Sequence, residues 1–159
     1  MKILIMGAGA VGAYFGSILS REKKPVTLVA RGKNYESMVS NGVKIESVAA
    51  GNFVTAPRVI QNPTEFEEKY DLILFSVKGY DSEGAIEFIK SAVSDTTIIV
   101  TLQNGVSSRK RLVDCFGDRQ VLQGVTYIDS TMISPGVVSQ TGGVCNILFG
   151  EDNGQITER

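Results

Sequence analysis

The most informative absence in this sequence is histidine, which occurs at none of its 159 positions. Histidine is the usual general acid or base near pH 7 and the commonest metal ligand. Its absence argues against a zinc site and against a Ser-His or Cys-His catalytic arrangement. We therefore expect no metal site, and any proton donor must be Lys, Tyr, Asp or Glu or come from outside this chain.

The sequence also has few cysteines, a nearly balanced charge and no long apolar run. The two cysteines, Cys115 and Cys145, form no C-x-x-C pair, so we expect reduced thiols in a cytoplasmic protein. The net charge of −1 gives no general attraction to nucleic acid or to a membrane surface. The apolar runs are far shorter than the roughly 20 residues of a membrane span, and because Met1-Lys2 leads directly into the first predicted strand, we expect no cleavable leader.

Apolar runs alternate with helical patterns along the chain, which predicts βαβ units. The predicted strands are 2–6, 26–30, 43–48, 53–55, 71–77, 97–102 and 120–128, with a further extended segment toward 59–60. The predicted helices run from the loop at Gly7 to about residue 20, over 35–39, from residue 81 or 82, and over 106–116. Residues 131–149 predict a hairpin turned at Gly142-Gly143.

These elements predict a Rossmann-type α/β fold, doubly wound around a mostly parallel sheet with an added antiparallel hairpin near the C-terminus. We expect one domain over residues 1–150. The polar segment 151–159 has the composition of a linker that leaves it.

Gly7-Ala8-Gly9-Ala10-Val11-Gly12 is a G-x-G-x-x-G motif that directly follows the first predicted strand and opens a helix. In that context Gly7 permits the tight turn, Gly9 lets a pyrophosphate approach the backbone, and Gly12 lets the helix pack close to the strand. The free N–H groups and dipole of the helix then hold the phosphates. The alternative is a plain strand–helix turn, but we predict dinucleotide binding.

Arg31 follows the second predicted strand, where NAD-preferring domains place an acid for the ribose 2′-hydroxyl. A guanidinium offers a planar set of donors that suits the 2′-phosphate of NADP(H) instead. A solvated surface arginine is the alternative interpretation. We predict that NADP(H) is the cofactor.

Lys78 and Asn104 follow two further predicted strands. Ligands of open α/β sheets bind outside the carboxyl ends of the strands, so both residues are candidates for the site. Lys78 is otherwise an exposed loop lysine, and Asn104-Gly105 is otherwise ordinary turn chemistry. The amide of Asn104 both donates and accepts, which is useful where a nicotinamide ribose and a substrate meet.

The sequence resembles the ketopantoate reductase family in a series of motifs that agree in order and spacing. They are Gly-Ala-Gly-Ala-Val-Gly at 7–12, Ala-Arg-Gly at 30–32, Ser-Val-Lys-Gly-Tyr at 76–80, Leu-Gln-Asn-Gly-Val at 102–106 and Ser-Pro-Gly-Val-Val at 134–138. Gly150-Glu151 and Asn153-Gly154 resemble the end of that family's N-terminal domain. The resemblance implies NADPH-dependent reduction of a small 2-keto acid, 2-dehydropantoate, to pantoate in the pantothenate route to coenzyme A.

The resemblance also implies residue roles. Residues 7–12 would bind the cofactor phosphates, Arg31 the 2′-phosphate, Lys78 the cofactor, Asn104 both nicotinamide ribose and substrate, and Ser130 the nicotinamide side. The family's proton-donating lysine belongs to a helical C-terminal domain, so we expect no catalytic residue in this chain and cofactor binding without turnover. Many relatives carry histidine where this chain has Gln140, which we interpret as a hairpin residue.

Two other functions stay open at this point. One is a non-catalytic NADP(H)-binding module, and the other is the Rossmann half of a different 2-keto or 3-hydroxy acid dehydrogenase. We expect a small-molecule 2-keto acid as the partner, and neither nucleic acid nor membrane. Self-association is expected through the apolar surface that a C-terminal domain would cover.

Overall fold

Strands and helices alternate along the part of the chain that the computed structural model describes, residues 1–151 and 154–157, with the backbone alone described at 106 and 107. The strands are β1 (Ile3–Met6), β2 (Val26–Val29), β3 (Val43–Ser47), β4 (Phe53–Thr55), β5 (Arg58–Ile60), β6 (Leu72–Phe75), β7 (Ile98–Thr101), β8 (Val121–Ser134) and β9 (Val137–Gly150). The α-helices are α1 (Ala10–Arg21), α2 (Gly32–Asn41), α3 (Ser82–Ile89) and α4 (Val106–Phe116). Short 3₁₀ turns lie at Pro63–Glu65, Gly79–Asp81, Lys90–Ala92 and Asp118–Gln120.

One sheet contains these strands in the order β4-β3-β9-β8-β7-β6-β1-β2-β5. The pairs β2–β5, β1–β2, β1–β6, β6–β7, β7–β8 and β3–β9 are parallel, whereas β3–β4 and β8–β9 are antiparallel. The predicted fold class is therefore confirmed. The predicted helix at 35–39 is longer in the structure, where it covers Gly32–Asn41.

The two faces of β1 belong to different cores, because successive side chains of a strand point to opposite sides. Ile3 and Ile5 pack in a cluster that includes Tyr14 of α1 and Met38 of α2. Leu4 and Met6 pack in a second cluster with residues of α3 and α4. All four β1 side chains are buried, as expected for a parallel sheet that helices cover on both faces.

The hairpin of β8 and β9 turns at a different place from the one predicted. The strands are joined at Pro135-Gly136, where Gly136 has φ +74°, so the predicted turn at Gly142-Gly143 is wrong. The register runs from Tyr127–Asn146 directly to Asp129–Thr141, which makes residues 142–145 a bulge opposite a single residue of β8. The conformational freedom of Gly142 and Gly143 allows this bulge. The bulge shifts the register between β8 and β9 in the part of the hairpin that is farther from the turn.

Gln140 lies in β9 before this bulge and is 1% exposed. Its Oε1 accepts hydrogen bonds from the Ser47 hydroxyl at 2.6 Å and the Ala49 amide at 3.2 Å. Its Nε2 donates to the carbonyl oxygens of Thr141 and Gly142 at 2.6 and 2.8 Å. Gln140 is thus a hairpin residue, as predicted, and it links β9 to β3 and satisfies the backbone carbonyls of Thr141 and Gly142, where the bulge begins.

The hairpin also carries exposed apolar side chains, among them Val125, Tyr127 and Leu148. Val125 pairs with Leu148 across the strands, so these side chains form a continuous patch. Such a patch is the kind of surface we expected, and self-association through it stays a prediction.

Regular structure ends with β9 at Gly150. Gly154 and the residues up to Thr157 follow without helix or strand, while 152–153 and 158–159 of the predicted linker, including Asn153, lie outside the described residues. Over the described part of the chain, no helix combines the length and the apolar character needed to cross a membrane.

Candidate functional site

A cavity of about 640 Å³ opens at the carboxyl ends of β1, β2 and β6. This is the edge at which open parallel sheets bind ligands. Most of the predicted site residues line it, namely Gly7, Ala8, Gly9, Ala10, Val11, Arg31, Lys78 and Ser130. The residues that sequence analysis gave no role include Asn34, Ser76, Tyr80, Asp81 and Phe88.

The glycine loop forms the wall of the cavity next to β1. Gly7 has φ +102°, and a Cβ there would lie 2.8 Å from Cγ1 of Val77. A Cβ on Gly12 would lie 2.2 Å from the Gly7 carbonyl oxygen, so only glycine lets α1 pack this close to the loop. Gly12 lies under the loop and does not line the cavity itself.

Gly9 differs from these two glycines because a Cβ built on it meets no atom within 4 Å. It is the N-cap residue of α1, and no side chain caps the helix there. The first turn of α1 contains no acidic residue and contributes Ala10 and Val11 to the lining. The backbone N–H groups of a first turn lack intrahelical partners, so this wall offers donors and a positive dipole end to an anion.

Ser76 fixes the loop from the neighbouring strand. Its hydroxyl lies within hydrogen-bond distance of two carbonyl oxygens, that of Gly7 at 2.9 Å and that of Met6 at 3.3 Å. Sequence analysis assigned Ser76 to a strand end and gave it no role. The feature that reveals this role is the parallel register of β6 and β1. Phe75 pairs with Met6, so the residues that follow them, Ser76 and Gly7, lie side by side.

Arg31 lies at the rim of the cavity, between β2 and α2. Its Nη2 donates to Oδ2 of Asp81 at 3.0 Å, which makes an ion pair across the rim. The Arg31 side chain is 75% exposed and that of Asp81 is 30% exposed. The site thus contains an acid that sequence analysis missed, because it lies 50 residues from Arg31 in the chain.

Lys78 is exposed and begins the 3₁₀ turn that leads to Asp81. The structure records no ion-pair partner for it within the described residues. A buried amide holds this segment in place: Nε2 of Gln103 donates to the Val77 carbonyl at 2.8 Å and to the Ser82 hydroxyl at 2.9 Å. Gln103 was quoted in a motif but had no predicted role.

Ser130 joins the cavity from the middle of β8. Its hydroxyl oxygen is buried, and no hydrogen-bond partner for it occurs among the residues described. Asn104 is not part of this lining; it is exposed, just beyond the end of β7. The structure therefore brings the predicted residues together at this cavity, with Gly12 beneath the loop and Asn104 outside the lining, and the role of each residue stays a prediction.

The composition of the cavity defines the ligand that it suits. Phosphate oxygens suit the N-terminus of α1 and the cations Arg31 and Lys78, and an orphaned hydroxyl at Ser130 suits a polar partner. The open space at Gly9 is a cradle that any larger side chain would fill. No group of histidine, cysteine or acidic residues among the described residues is arranged to hold a metal ion. These residues fit a nicotinamide dinucleotide.

Comparisons with known proteins identify the family and support the fold. Residues 3–154 match the family described as ketopantoate reductase PanE/ApbA. The uncharacterized oxidoreductase YkpB of Bacillus subtilis is 32% identical over all of this chain and 52% of its own length. A crystal structure of 2-dehydropantoate 2-reductase from Geobacter metallireducens superposes with a TM-score of 0.89 at 32% identity, covering 99% of this chain and 51% of that chain.

The ternary structure of D-mandelate dehydrogenase with NADH and anilino(oxo)acetate shares the fold, with a TM-score of 0.82 at 23% identity over 89% of this chain and 46% of that chain. This chain spans about half the length of the curated relatives that it matches. The match over nearly the whole chain shows that the protein belongs to the ketopantoate reductase PanE/ApbA family, of which it represents the N-terminal domain.

Proposed function

We propose that this chain is the NADPH-binding half of an oxidoreductase that reduces 2-dehydropantoate to pantoate, a step of pantothenate and coenzyme A biosynthesis. The observation that carries the proposal is the cavity, which combines a glycine cradle at the N-terminus of α1 with a cationic rim at Arg31. Relatives of this chain from several organisms are named 2-dehydropantoate 2-reductase, which supports the substrate.

Each part of the cavity has a task in this proposal. Gly9 and the first turn of α1 would hold the pyrophosphate, and Arg31 the 2′-phosphate. Lys78 would add charge beside the phosphates, and the Ser130 hydroxyl would face the nicotinamide side. Asn104, outside the cavity, would contact the nicotinamide ribose and the substrate.

The bound nicotinamide would supply a hydride to the keto carbon of the substrate. The carbonyl oxygen then needs a proton, and an enclosed site protects the reaction from water. The resemblance to the family assigns the proton donor to a lysine in a helical C-terminal domain. We therefore propose that residues 1–159 bind the cofactor and a longer chain performs the reaction.

The test is a calorimetric titration of the 159-residue chain with NADPH, using Gly9→Ala and Gly143→Ala as a matched pair of variants. At both positions a Cβ meets no atom within 4 Å and φ is not positive, so both variants should fold as the wild type does. Gly143 lies in the β9 bulge and does not line the cavity.

We expect Gly9→Ala to weaken NADPH by at least about tenfold, which corresponds to ~1.4 kcal/mol, because the added methyl group fills the space of the pyrophosphate. Gly143→Ala should bind as the wild type does. A wild-type chain that binds no nicotinamide cofactor, or a Gly9→Ala variant with unchanged affinity, would overturn the proposal.

A further inference from the structure

The rim of the cavity pairs its main cation with an acid. Arg31 follows β2 and Asp81 precedes α3, so the ion pair between them connects the two segments that border the cavity opening. Both side chains also line the cavity, and a ligand phosphate at Arg31 would therefore meet the Asp81 carboxylate.

Among the residues that the structure describes, the contacts of Asp81 give its charge only a small structural role, which is the weak attraction between a carboxylate and the N-terminus of α3. It is the N-cap residue of α3, but its side chain makes no capping hydrogen bond. Within the described residues, the one recorded hydrogen-bond partner of its carboxylate is Arg31, whose side chain is 75% exposed. An ion pair this open to solvent contributes little to stability. Its effect should therefore be found in binding.

The carboxylate affects two kinds of ligand in opposite ways. A 2′-phosphate carries about 1.5 to 2 negative charges at neutral pH, and it must share the guanidinium with Asp81 while being repelled by it. A ribose 2′-hydroxyl is uncharged, and it can donate to Asp81 and accept from Arg31 at the same time. The same ion pair thus penalises the phosphate and accommodates the hydroxyl.

We propose that Asp81 is a specificity-determining residue, which lowers the preference of this site for NADPH over NADH. This inference rests on the proposed function, because it concerns the same cofactor site. One carboxylate at roughly 5–6 Å from a phosphate in a solvated rim corresponds to about a fivefold to tenfold loss of affinity. Added salt should reduce that factor, because the charges are exposed.

The experiment compares Asp81→Asn with Glu83→Gln in the 159-residue chain. Asparagine keeps the shape of the side chain and removes its charge. Glu83 is exposed two residues further on, in the first turn of α3, and lies outside the cavity, so Glu83→Gln removes the same charge from the same helix without touching the site. Thermal unfolding verifies that both variants are folded. The readout is the dissociation constant of NADPH and of NADH, each at low and at high salt.

We expect Asp81→Asn to tighten NADPH by about fivefold to tenfold and to leave NADH unchanged or weaker. The gain should shrink in high salt, and Glu83→Gln should change either affinity by less than about twofold. Equal changes for both cofactors, an unchanged NADPH affinity, or an equal gain from Glu83→Gln would overturn the inference. Failure of the proposed function is distinguishable, because there the wild-type chain itself binds neither cofactor.

Discussion

Replacing Arg31 with alanine should weaken NADPH and leave NADH nearly unaffected, because only NADPH carries a 2′-phosphate. A hydrogen bond to a charged group contributes roughly 1.5–3 kcal/mol. The Arg31 side chain is 75% exposed, and Asp81 already accepts from its Nη2 at 3.0 Å. Solvent screening and this competition favour the lower part of the range, about 1.5–2 kcal/mol, or about a 10- to 30-fold loss of NADPH affinity.

The assay is a titration of both cofactors against wild type, Arg31→Ala, Arg31→Lys and Lys33→Ala. Lysine keeps the charge of Arg31 but loses the planar set of donors, so Arg31→Lys should fall between wild type and Arg31→Ala. Lys33 is an exposed cation two residues away that does not line the cavity, and Lys33→Ala therefore controls for loss of charge alone.

NADH should weaken by less than about threefold in Arg31→Ala, because a neutral hydroxyl gains little from an exposed guanidinium. If NADPH and NADH weaken by the same factor, Arg31 is not the specificity residue. If Lys33→Ala reproduces the loss, the effect is one of general charge. Either result would refute the assignment of the 2′-phosphate to Arg31.

Two further predictions concern the loop and the reaction. Gly12→Ala should lower the free energy of unfolding in urea by about 1–3 kcal/mol, because its Cβ would lie 2.2 Å from the Gly7 carbonyl oxygen. Gly84 is a helical glycine at which a Cβ meets no atom within 4 Å, so Gly84→Ala should not lower it. Equal stability of both variants would contradict the packing role of Gly12. The purified 159-residue chain should bind NADPH yet show no oxidation of it, followed at 340 nm in the presence of 2-dehydropantoate, because the proton donor is assigned to another domain; turnover near the rate of a full-length relative would refute this.

The sequence predicted the fold class because local signals and the global fold agree in this chain. Buried parallel strands appear as unbroken apolar runs, and the glycine motif indicated where β1 ends and α1 begins. The hairpin turn was the main error. Pro135-Gly136 and Gly142-Gly143 are both plausible turns by composition. What decides between them is the pairing of β9 with β3, which is set by contacts between residues as distant as Lys44 and Val137.

The residues of the candidate site likewise divide into those that local sequence could identify and those that depend on distant contacts. Gly7–Gly12, Arg31 and Lys78 could be found because each directly follows a predicted strand and has a chemistry that suits a phosphate. Ser76, Gln103 and Asp81 could not, because their roles depend on which strands are neighbours. Ser76 bonds Gly7 because β6 lies beside β1 in the sheet. Asp81 reaches Arg31 because only one strand, β1, lies between β6 and β2. The specificity that we propose for this rim therefore depends on strand order, and Asp81 can be identified as the partner of Arg31 only once that order is known.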